Sequence, residues 1–199
     1  MAKFSKHQKR EYIALSCKSI ILQEGIKELT ISALAKEANI GKGTIYEYFE
    51  NKEDIVLELA NILHKKYLLE VKNLASKANS FEEKIKILAL SSYEEKYNEY
   101  RKIFKELIGV SYYSSNCAFM FFQDKWYKQN YEFLEEIIKE AIENKKIKED
   151  SIKFIDSILS SLIGYFCLSF SKSNIQITIT SIEQYLENFL ELIEIKNNK

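Results

Sequence analysis

The chain has 199 residues, and its 29 basic and 29 acidic side chains give a formal net charge of zero at neutral pH. Hydrophobic residues make up 46% of the sequence and charged residues 29%, which excludes a largely disordered chain. Proline is absent and glycine occurs five times, so long helices with short connections are favoured over a turn-rich β fold. We therefore expect an all-α protein.

The first predicted elements are a basic arm and a helix. The first ten residues carry four cations and no acid: Lys3, Lys6, Lys9 and Arg10. Such an arm can add phosphate contacts to a neutral protein, although a solvated terminus has the same composition. From about residue 5 to residue 24, apolar side chains recur at helical spacing, and Gly25 follows as a stop signal.

Two short helices joined by a turn come next. Thr30 is expected to cap the helix that begins at Ile31, because its hydroxyl can accept from an unpaired backbone amide. Asn39 occupies the turn, where a positive φ is commonly needed and Asn tolerates it. Gly41 is expected at the N-cap of the next helix, and Asn51 at the N-cap of a fourth. The pattern predicts a helix-turn-helix, which places its second helix in the major groove of DNA.

The second helix of this module carries side chains suited to DNA. Lys42 can donate to a guanine edge or a phosphate, and the methyl of Thr44 suits a thymine methyl. Gly43 lets the helix approach the DNA backbone closely. Ile45 and Phe49 are expected to point into the three-helix core.

Four neighbouring polar residues extend this surface. Tyr46 and Tyr48 have phenol donors suited to phosphate or sugar, and Lys52 is close enough to grip a phosphate. Glu47 either accepts from a cytosine, bonds a nearby cation or faces solvent. The competing interpretation is a three-helix packing module, which would not require exposed tyrosines beside two lysines.

Beyond residue 52 the pattern remains helical. A helix is predicted from Ile55 to about Ala78. Five more are predicted over residues 81–98, 100–112, 117–144, 150–172 and 176–195. Residues 175–179 alternate like a strand, but the longer apolar spacing fits a helix better. Thr180 and Glu183 form a capping box, so the last helix could begin as late as 180.

Residues 1–55 resemble the TetR family of bacterial transcriptional regulators. The most specific matches are Ile31, Leu34, Ala35, Ala38, Ile40, Gly43, Ile45, Tyr46, Tyr48, Phe49, Lys52 and Glu53 at their present spacing. The resemblance implies an all-α homodimer whose N-terminal three-helix domain, residues 1–52, binds double-stranded DNA at a palindromic operator, usually as a repressor. It implies that the larger C-terminal helical domain, residues 53–199, dimerises and binds a small molecule that releases the DNA. By position, the DNA contacts would be Thr30, Ser32, Lys42, Gly43, Thr44, Tyr46, Tyr48 and Lys52.

Two residues depart from the family pattern. The family usually has Gly where this chain has Asn39, and Ser or Thr where it has Gly41. Asn is the mildest replacement for Gly in a turn, so we expect the turn to survive. Gly41 still allows the helix to begin but removes a hydroxyl contact to phosphate.

Aromatic residues crowd the middle of the chain, and a pocket between bundle helices is a common ligand site. The predicted pocket lining is Tyr93, Tyr97, Phe104, Ile108, Phe122 and Trp126. The competing interpretation is that these side chains only pack the core. No Arg, Lys or His looks buried in the pattern, so a hydrophobic ligand is expected.

The last two helices are predicted to form the dimer interface. Apolar side chains recur along both of them, namely Ile155, Ile158, Leu162, Phe166, Tyr185, Phe189 and Leu192. Two such helices from each subunit would make a four-helix bundle. The alternative is that both helices are buried within a monomer.

The remaining signals argue against an enzyme or a membrane protein. Cys17, Cys117 and Cys167 lie outside any metal-site spacing and are expected to be small core residues in a reduced cytoplasm. No phosphate loop or nucleophile motif occurs, so neither catalysis nor a cofactor is expected. The N-terminus lacks the continuous apolar stretch of a signal peptide, and the longest uncharged run, 157–171, is too short for a membrane span. A DNA-binding regulator controlled by a protein partner, without a small-molecule inducer, remains the alternative function.

Overall fold

A computed structural model describes residues 4–111, 117–171 and 175–194 of the chain, and side chains outside 111–121 within those ranges. The α-helices in these ranges are α1 Lys6–Ser16, α2 Lys18–Glu24, α3 Ile31–Glu37, α4 Lys42–Tyr46, α5 Lys52–Ala75, α6 Phe81–Leu90, α7 Asn98–Ser111, α8 Cys117–Glu143, α9 Ile155–Ser169 and α10 Ile175–Ile193. The described residues form no β-strand beyond one isolated bridge between Ile147 and Glu194. The predicted all-α fold is confirmed.

The chain divides into two compact units. Unit 1 comprises residues 1–66 and 99–124, and unit 2 comprises residues 67–98 and 125–199. Unit 1 therefore contains α1 to α4, the larger part of α5, nearly all of α7 and the start of α8. The predicted domain boundary between residues 52 and 53 stays a prediction.

Unit 1 has a core of fully buried aliphatic side chains. Its innermost members are Ile13, Leu34, Ile45, Ile55, Leu59 and Ile103. Because this core takes one apolar stripe from each short helix, the opposite stripes remain free for other contacts.

In unit 2, α10 packs against α6 and α9. Among the described residues, one helical stretch, Glu149–Ser169, is long and apolar enough to cross a membrane. About a third of the apolar window of this stretch is buried within the described chain, including Ile155, Ile158 and Leu159.

Three predicted helices are interrupted in the structure. The first breaks at Cys17, whose amide and thiol both donate to the Ala14 carbonyl, at 3.2 and 2.9 Å, in a tighter turn. The predicted helix 81–98 ends at Leu90 and continues as short 3₁₀ turns, with an extended backbone at Glu94. The predicted helix 150–172 begins with a 3₁₀ segment, Glu149–Phe154, before α9.

Two serines, residues that do not favour a helix interior, follow the end of α6. Ser91 and Ser92 follow Leu90 directly and are both buried. Serine hydroxyls compete with backbone groups for hydrogen bonds, which makes serine a poor residue for a helix interior. The α8 and α10 boundaries, in contrast, agree closely with the prediction, and α10 is helical through the segment 175–179 that alternates like a strand.

Candidate DNA-binding surface

Side chains cap the helices of the helix-turn-helix as the sequence predicts. The Thr30 hydroxyl accepts from the Ala33 amide at 3.1 Å at the start of α3. The Asn51 side-chain oxygen accepts from the Asp54 amide at 2.8 Å at the start of α5. Gly41 occupies the N-cap of α4 with an extended backbone and no side-chain cap. Three predicted helix starts are thereby confirmed.

The turn between α3 and α4 depends on Asn39. Its φ is +50°, in the left-handed region that disfavours most residues with a side chain. The amide of Ile40 donates to the Ala35 carbonyl at 3.0 Å, which closes the end of α3. The predicted positive φ at Asn39 is confirmed, and it sets the direction in which the chain enters α4.

Helix α4 has a buried side and an exposed side. Ile45 is fully buried and Phe49 nearly so, as predicted, whereas Tyr46 is 59% exposed. Lys42 and Gly43 are also exposed, at the first turn of the helix. The helix therefore presents its first residues and a tyrosine to the outside while Ile45 anchors it.

The remaining predicted contact residues differ in how accessible they are. Ser32 and Thr30 are exposed, but the Thr30 hydroxyl already serves as a helix cap. Thr44 and Tyr48 are half-buried. All of these residues lie in unit 1, in or beside the helix-turn-helix.

Lys52 also has a structural role. Its ammonium donates to the carbonyls of Lys27 and Leu29, at 3.3 and 3.4 Å. Because an ammonium has three N–H donors, these two bonds leave one donor for a further acceptor. Lys52 therefore joins the start of α5 to the loop before α3.

Arg10 is a structural residue, and this corrects its predicted place in a basic arm. Its guanidinium bonds Asp54 at 3.0 Å and Glu58 at 3.1 Å, and also donates to the Tyr48 carbonyl. The same group lies 4.2 Å from the centroid of the Phe49 ring. Sequence spacing could not reveal these contacts, because the partners lie far along the chain. Of the remaining arm, Lys6 is exposed and Lys9 lies over the Phe4 and Tyr12 rings.

Within unit 1, α7 contacts the segment around α2. A Glu106 carboxylate oxygen accepts from the Ile26 amide at 3.2 Å, beside Gly25, whose φ is +88°. The ammonium of Lys18 pairs with Glu99 at 2.5 Å. These two contacts join α7 to the start of α2 and to the turn that precedes α3.

The six predicted pocket residues fall in both units. Phe104, Ile108 and Phe122 belong to unit 1, whereas Tyr93, Tyr97 and Trp126 belong to unit 2. Four of the six are buried, and Ile108 and Trp126 are half-buried. Their role in ligand binding stays a prediction.

His64 is buried, contrary to the expectation that no histidine would be. It is 2% exposed, and its Nδ1 lies 3.1 Å from the Tyr100 hydroxyl. The Phe104 ring lies 4.3 Å from the Tyr100 ring and 6.2 Å from the imidazole, centroid to centroid. The spacing of His64 from the buried residues Ala60 and Tyr67 on α5 is the sequence signal that could have placed His64 on a buried helix face.

In unit 2, Tyr97 and Phe166 belong to aromatic contacts of the core. The Tyr97 hydroxyl donates to Glu70 at 2.8 Å, and burial raises the pKa of Tyr97 above its ordinary value. Phe166 lies 6.5 Å from both the Tyr93 and the Trp126 rings, centroid to centroid. These contacts account for the burial of Phe166 within its own chain.

The predicted dimer residues divide by exposure. Five of them are buried within the single chain: Ile155, Ile158, Leu162, Phe166 and Phe189. Tyr185 is half-buried, and Leu192 is 55% exposed. The apolar stripe that the sequence marks on α9 and α10 thus largely faces the core of unit 2.

Similarity to known proteins covers both the helix-turn-helix and the whole fold. The sequence profile of bacterial regulatory proteins of the tetR family matches residues 18–59. An HTH-type transcriptional regulator of Haemophilus influenzae is 39% identical over 51 residues, which are 26% of this chain and 27% of that protein. The Escherichia coli repressor NemR is 36% identical over 53 residues, 27% of each chain.

The first curated relatives are matched over about a quarter of their own length. A longer match joins the chain to an HTH-type transcriptional regulator of Staphylococcus aureus, 22% identical over 178 residues and 88% of each protein.

Solved structures share the fold along nearly the whole chain. A TetR-family regulator from Cytophaga hutchinsonii has a TM-score of 0.78 at 20% identity, with 98% of this chain and 100% of that chain covered. FadR from Bacillus subtilis, in complex with stearoyl-CoA, has a TM-score of 0.67 at 20% identity, with coverages of 90% and 96%. Residues 18–59 therefore match the helix-turn-helix of the tetR family, and the whole chain shares the fold of TetR-family regulators.

Proposed function

We propose that this protein is a transcriptional repressor that binds DNA through α4. The observation that carries the proposal is the two-sided character of that helix, with Ile45 fully buried and Tyr46 59% exposed. A helix-turn-helix reads DNA with the exposed N-terminal residues of its second helix. Lys42 and Thr44 would reach base edges, and the bare backbone of Gly43 would allow close approach.

Phosphate contacts would surround this helix. The exposed phenol of Tyr46 and the half-buried phenol of Tyr48 are suited to phosphate oxygens. Lys52 would contribute its third N–H donor, and Ser32 its exposed hydroxyl. Because the Thr30 hydroxyl already accepts from an amide, its own proton remains for a phosphate.

A homodimer on a palindromic operator is the second part of the proposal. The side of α9 and α10 that faces away from the core carries Leu168 and Ile177, each 54% exposed, besides Leu192. Between them, the Tyr165 and Tyr185 rings lie 6.0 Å apart, centroid to centroid, and both are half-buried. Burying these side chains against a second copy would form the four-helix bundle that brings two α4 helices to one duplex.

The exposed surface differs from the buried stripe that the sequence marks. It includes small residues, Ser157, Ser160, Ser161 and Gly164, which allow close helix approach. We therefore place the proposed interface on the outward residues of α9 and α10, with Tyr185 and Leu192 retained from the predicted set.

We further propose release of DNA by a small hydrophobic ligand. FadR from Bacillus subtilis is known in complex with stearoyl-CoA, and NemR is a repressor. The ligand would have to favour one conformation over another, because binding without such preference moves no equilibrium. The alternative is a DNA-binding regulator without an inducer, controlled by a protein partner. In either case we propose that the protein works in the bacterial cytoplasm, where its operator lies.

Selection of bound duplexes from a random pool tests the DNA-binding proposal. The full-length protein is expected to enrich duplexes with two inverted half-sites. Lys42→Ala is expected to change the enriched half-site sequence, whereas Tyr131→Ala, on α8 in unit 2, is expected to enrich the same sites as the parent. A parent protein that enriches no sequence would contradict the proposal.

A further inference from the structure

The outward face of α4 is centred on Gly43 and Glu47. In an α-helix, residues two positions before and after a given residue lie nearly opposite it, because successive residues turn by about 100°. Ile45 is fully buried, so Gly43 and Glu47 both lie on the side directly away from the core. Both are exposed, and Glu47 keeps helical dihedral angles at the C-cap.

The side chain of Glu47 meets no obstacle on this face. Nothing lies within 4 Å of a Cβ placed on Gly43. Glu47 therefore carries its carboxylate on the open, outward face of α4, which is the face proposed to enter the groove.

The Glu47 carboxylate has no partner within the described parts of the chain, whereas several other acids of unit 1 are paired. Asp54 and Glu58 bond Arg10, and Glu99 pairs with Lys18. Glu37 accepts from the Ser19 hydroxyl at 2.8 Å. For the Glu47 carboxylate, no hydrogen bond or ion pair occurs among the described residues. Its charge thus remains available to whatever faces α4.

A carboxylate in the major groove distinguishes bases by their hydrogen-bonding edges. It accepts from the N4 amine of cytosine, whereas the O6 and N7 of guanine and the O4 of thymine are acceptors that repel it. Adenine offers its N6 amine beside the N7 acceptor, so it fits a carboxylate less well. The same charge also repels phosphates, which lowers affinity for DNA that lacks the correct base.

We propose that Glu47 is a specificity-determining residue that accepts from the N4 amine of a cytosine in each operator half-site. This proposal rests on the proposed function, because it requires α4 to lie in the major groove. Glu47 would act together with Lys42 and Thr44, the other side chains directed at base edges. Glu47 would weaken binding to half-sites that have guanine or thymine at this position.

Duplex selection and affinity measurements with full-length Glu47→Gln and Glu47→Ala test the proposal. The parent is expected to select cytosine at one position of each half-site. Both variants are expected to lose about tenfold in discrimination at that position, within the range for one base contact. Both are also expected to bind random duplex more tightly than the parent. Glu50→Gln is the control, since it removes an equal charge from an exposed residue just beyond α4.

The outcomes separate this proposal from the proposed function. A parent that selects no sequence overturns both. A parent that selects a palindrome, with unchanged base preference in both Glu47 variants, overturns only the role of Glu47. A Glu50→Gln variant with the same shift in preference also overturns it, because the effect would then come from net charge.

Discussion

The Arg10 guanidinium lies over the Phe49 ring, 4.2 Å from its centroid. It also donates to the backbone carbonyl of Tyr48, the neighbouring residue. Through these contacts α1 holds the segment that ends the helix-turn-helix. Arg10 bonds Asp54 and Glu58 on α5 as well, so one side chain connects three parts of unit 1.

Replacing Arg10 is therefore expected to destabilise unit 1. Arg10→Ala removes several hydrogen bonds to charged groups and leaves Asp54 and Glu58 without their cation. We expect the free energy of unfolding to fall by roughly 2 kcal/mol. Urea denaturation followed by circular dichroism measures this change. Lys6→Ala is the control, and an equal loss in both variants would contradict the role of Arg10.

A substitution at Gly43 is expected to change stability and DNA affinity in opposite directions. Gly43→Ala is expected to stabilise the free protein by about 0.5–1 kcal/mol, because Gly is a poor helix former and no atom lies within 4 Å of the new Cβ. It is expected to weaken DNA binding by about tenfold or more, since the methyl group would meet the duplex.

Gly109→Ala is the matched control, because Gly109 lies in α7 and also has open space around its Cβ position. It is expected to gain stability without losing DNA affinity. Thermal unfolding and fluorescence anisotropy with a selected duplex measure the two quantities. Unchanged affinity in Gly43→Ala would show that α4 does not approach DNA closely.

Asn39 gives a prediction about the turn. Its φ of +50° suits Gly better than Asn and Asn better than Ala. We expect Asn39→Gly to stabilise the protein by about 0.5 kcal/mol and Asn39→Ala to destabilise it by about 1 kcal/mol. Chemical denaturation of the two variants tests the order. If Ala were the more stable replacement, the turn would have to adopt a different backbone conformation.

The exposed side of α9 gives a prediction about assembly. Leu168→Glu is expected to yield a monomer at micromolar concentration, because a charge would be buried at the proposed interface. Leu69→Glu is the control, since Leu69 is also exposed in unit 2 but lies on α5. Light scattering coupled to size-exclusion chromatography measures the mass. A dimeric Leu168→Glu variant, or a monomeric parent, would contradict the proposed interface.

The buried Cys17 thiol is expected to make the stability of the protein depend on pH in the alkaline range. Burial raises the pKa of the Cys17 thiol from 9.0 to about 12. The unfolded state therefore loses this proton first as pH rises, and the stability contribution present below pH 9.0 is lost up to about pH 12.

Within this pH range the free energy of unfolding of the parent is expected to fall by up to about 1.4 kcal/mol per pH unit more than that of Cys17→Ala. Urea unfolding at several pH values gives the slope of unfolding free energy against pH for each protein. The difference between the two slopes removes the contributions of other titrating groups. Parallel slopes for the two proteins would contradict the burial of an un-ionised thiol.

The features that the sequence predicts well depend on nearby residues. Thr30 and Asn51 cap helices through amides three positions away, and Asn39 suits its turn by its own conformational preference. Each of these requires only local chemistry. The helix breaks at Cys17 and Leu90 were missed because helical apolar spacing continues through them.

Features that depend on tertiary contacts could not be predicted. Arg10 looks like part of a basic arm, and only folding brings it to Asp54 and Phe49. The apolar spacing of α9 gives a buried stripe but does not say whether its own chain or a partner covers it. In the structure the chain itself covers Ile158 and Phe166, whereas Leu168 is exposed, and the proposed interface lies on that exposed side.

The most direct test of DNA reading by α4 is an affinity series on the selected duplex and on random DNA. Tyr46→Ala and Lys52→Ala are expected to weaken binding to both, whereas Lys42→Ala and Thr44→Ala are expected also to change the preference between them. Circular dichroism of each variant checks that the fold is retained, in particular for Lys52, which bonds loop carbonyls. If all four variants bind both duplexes like the parent, α4 does not read DNA.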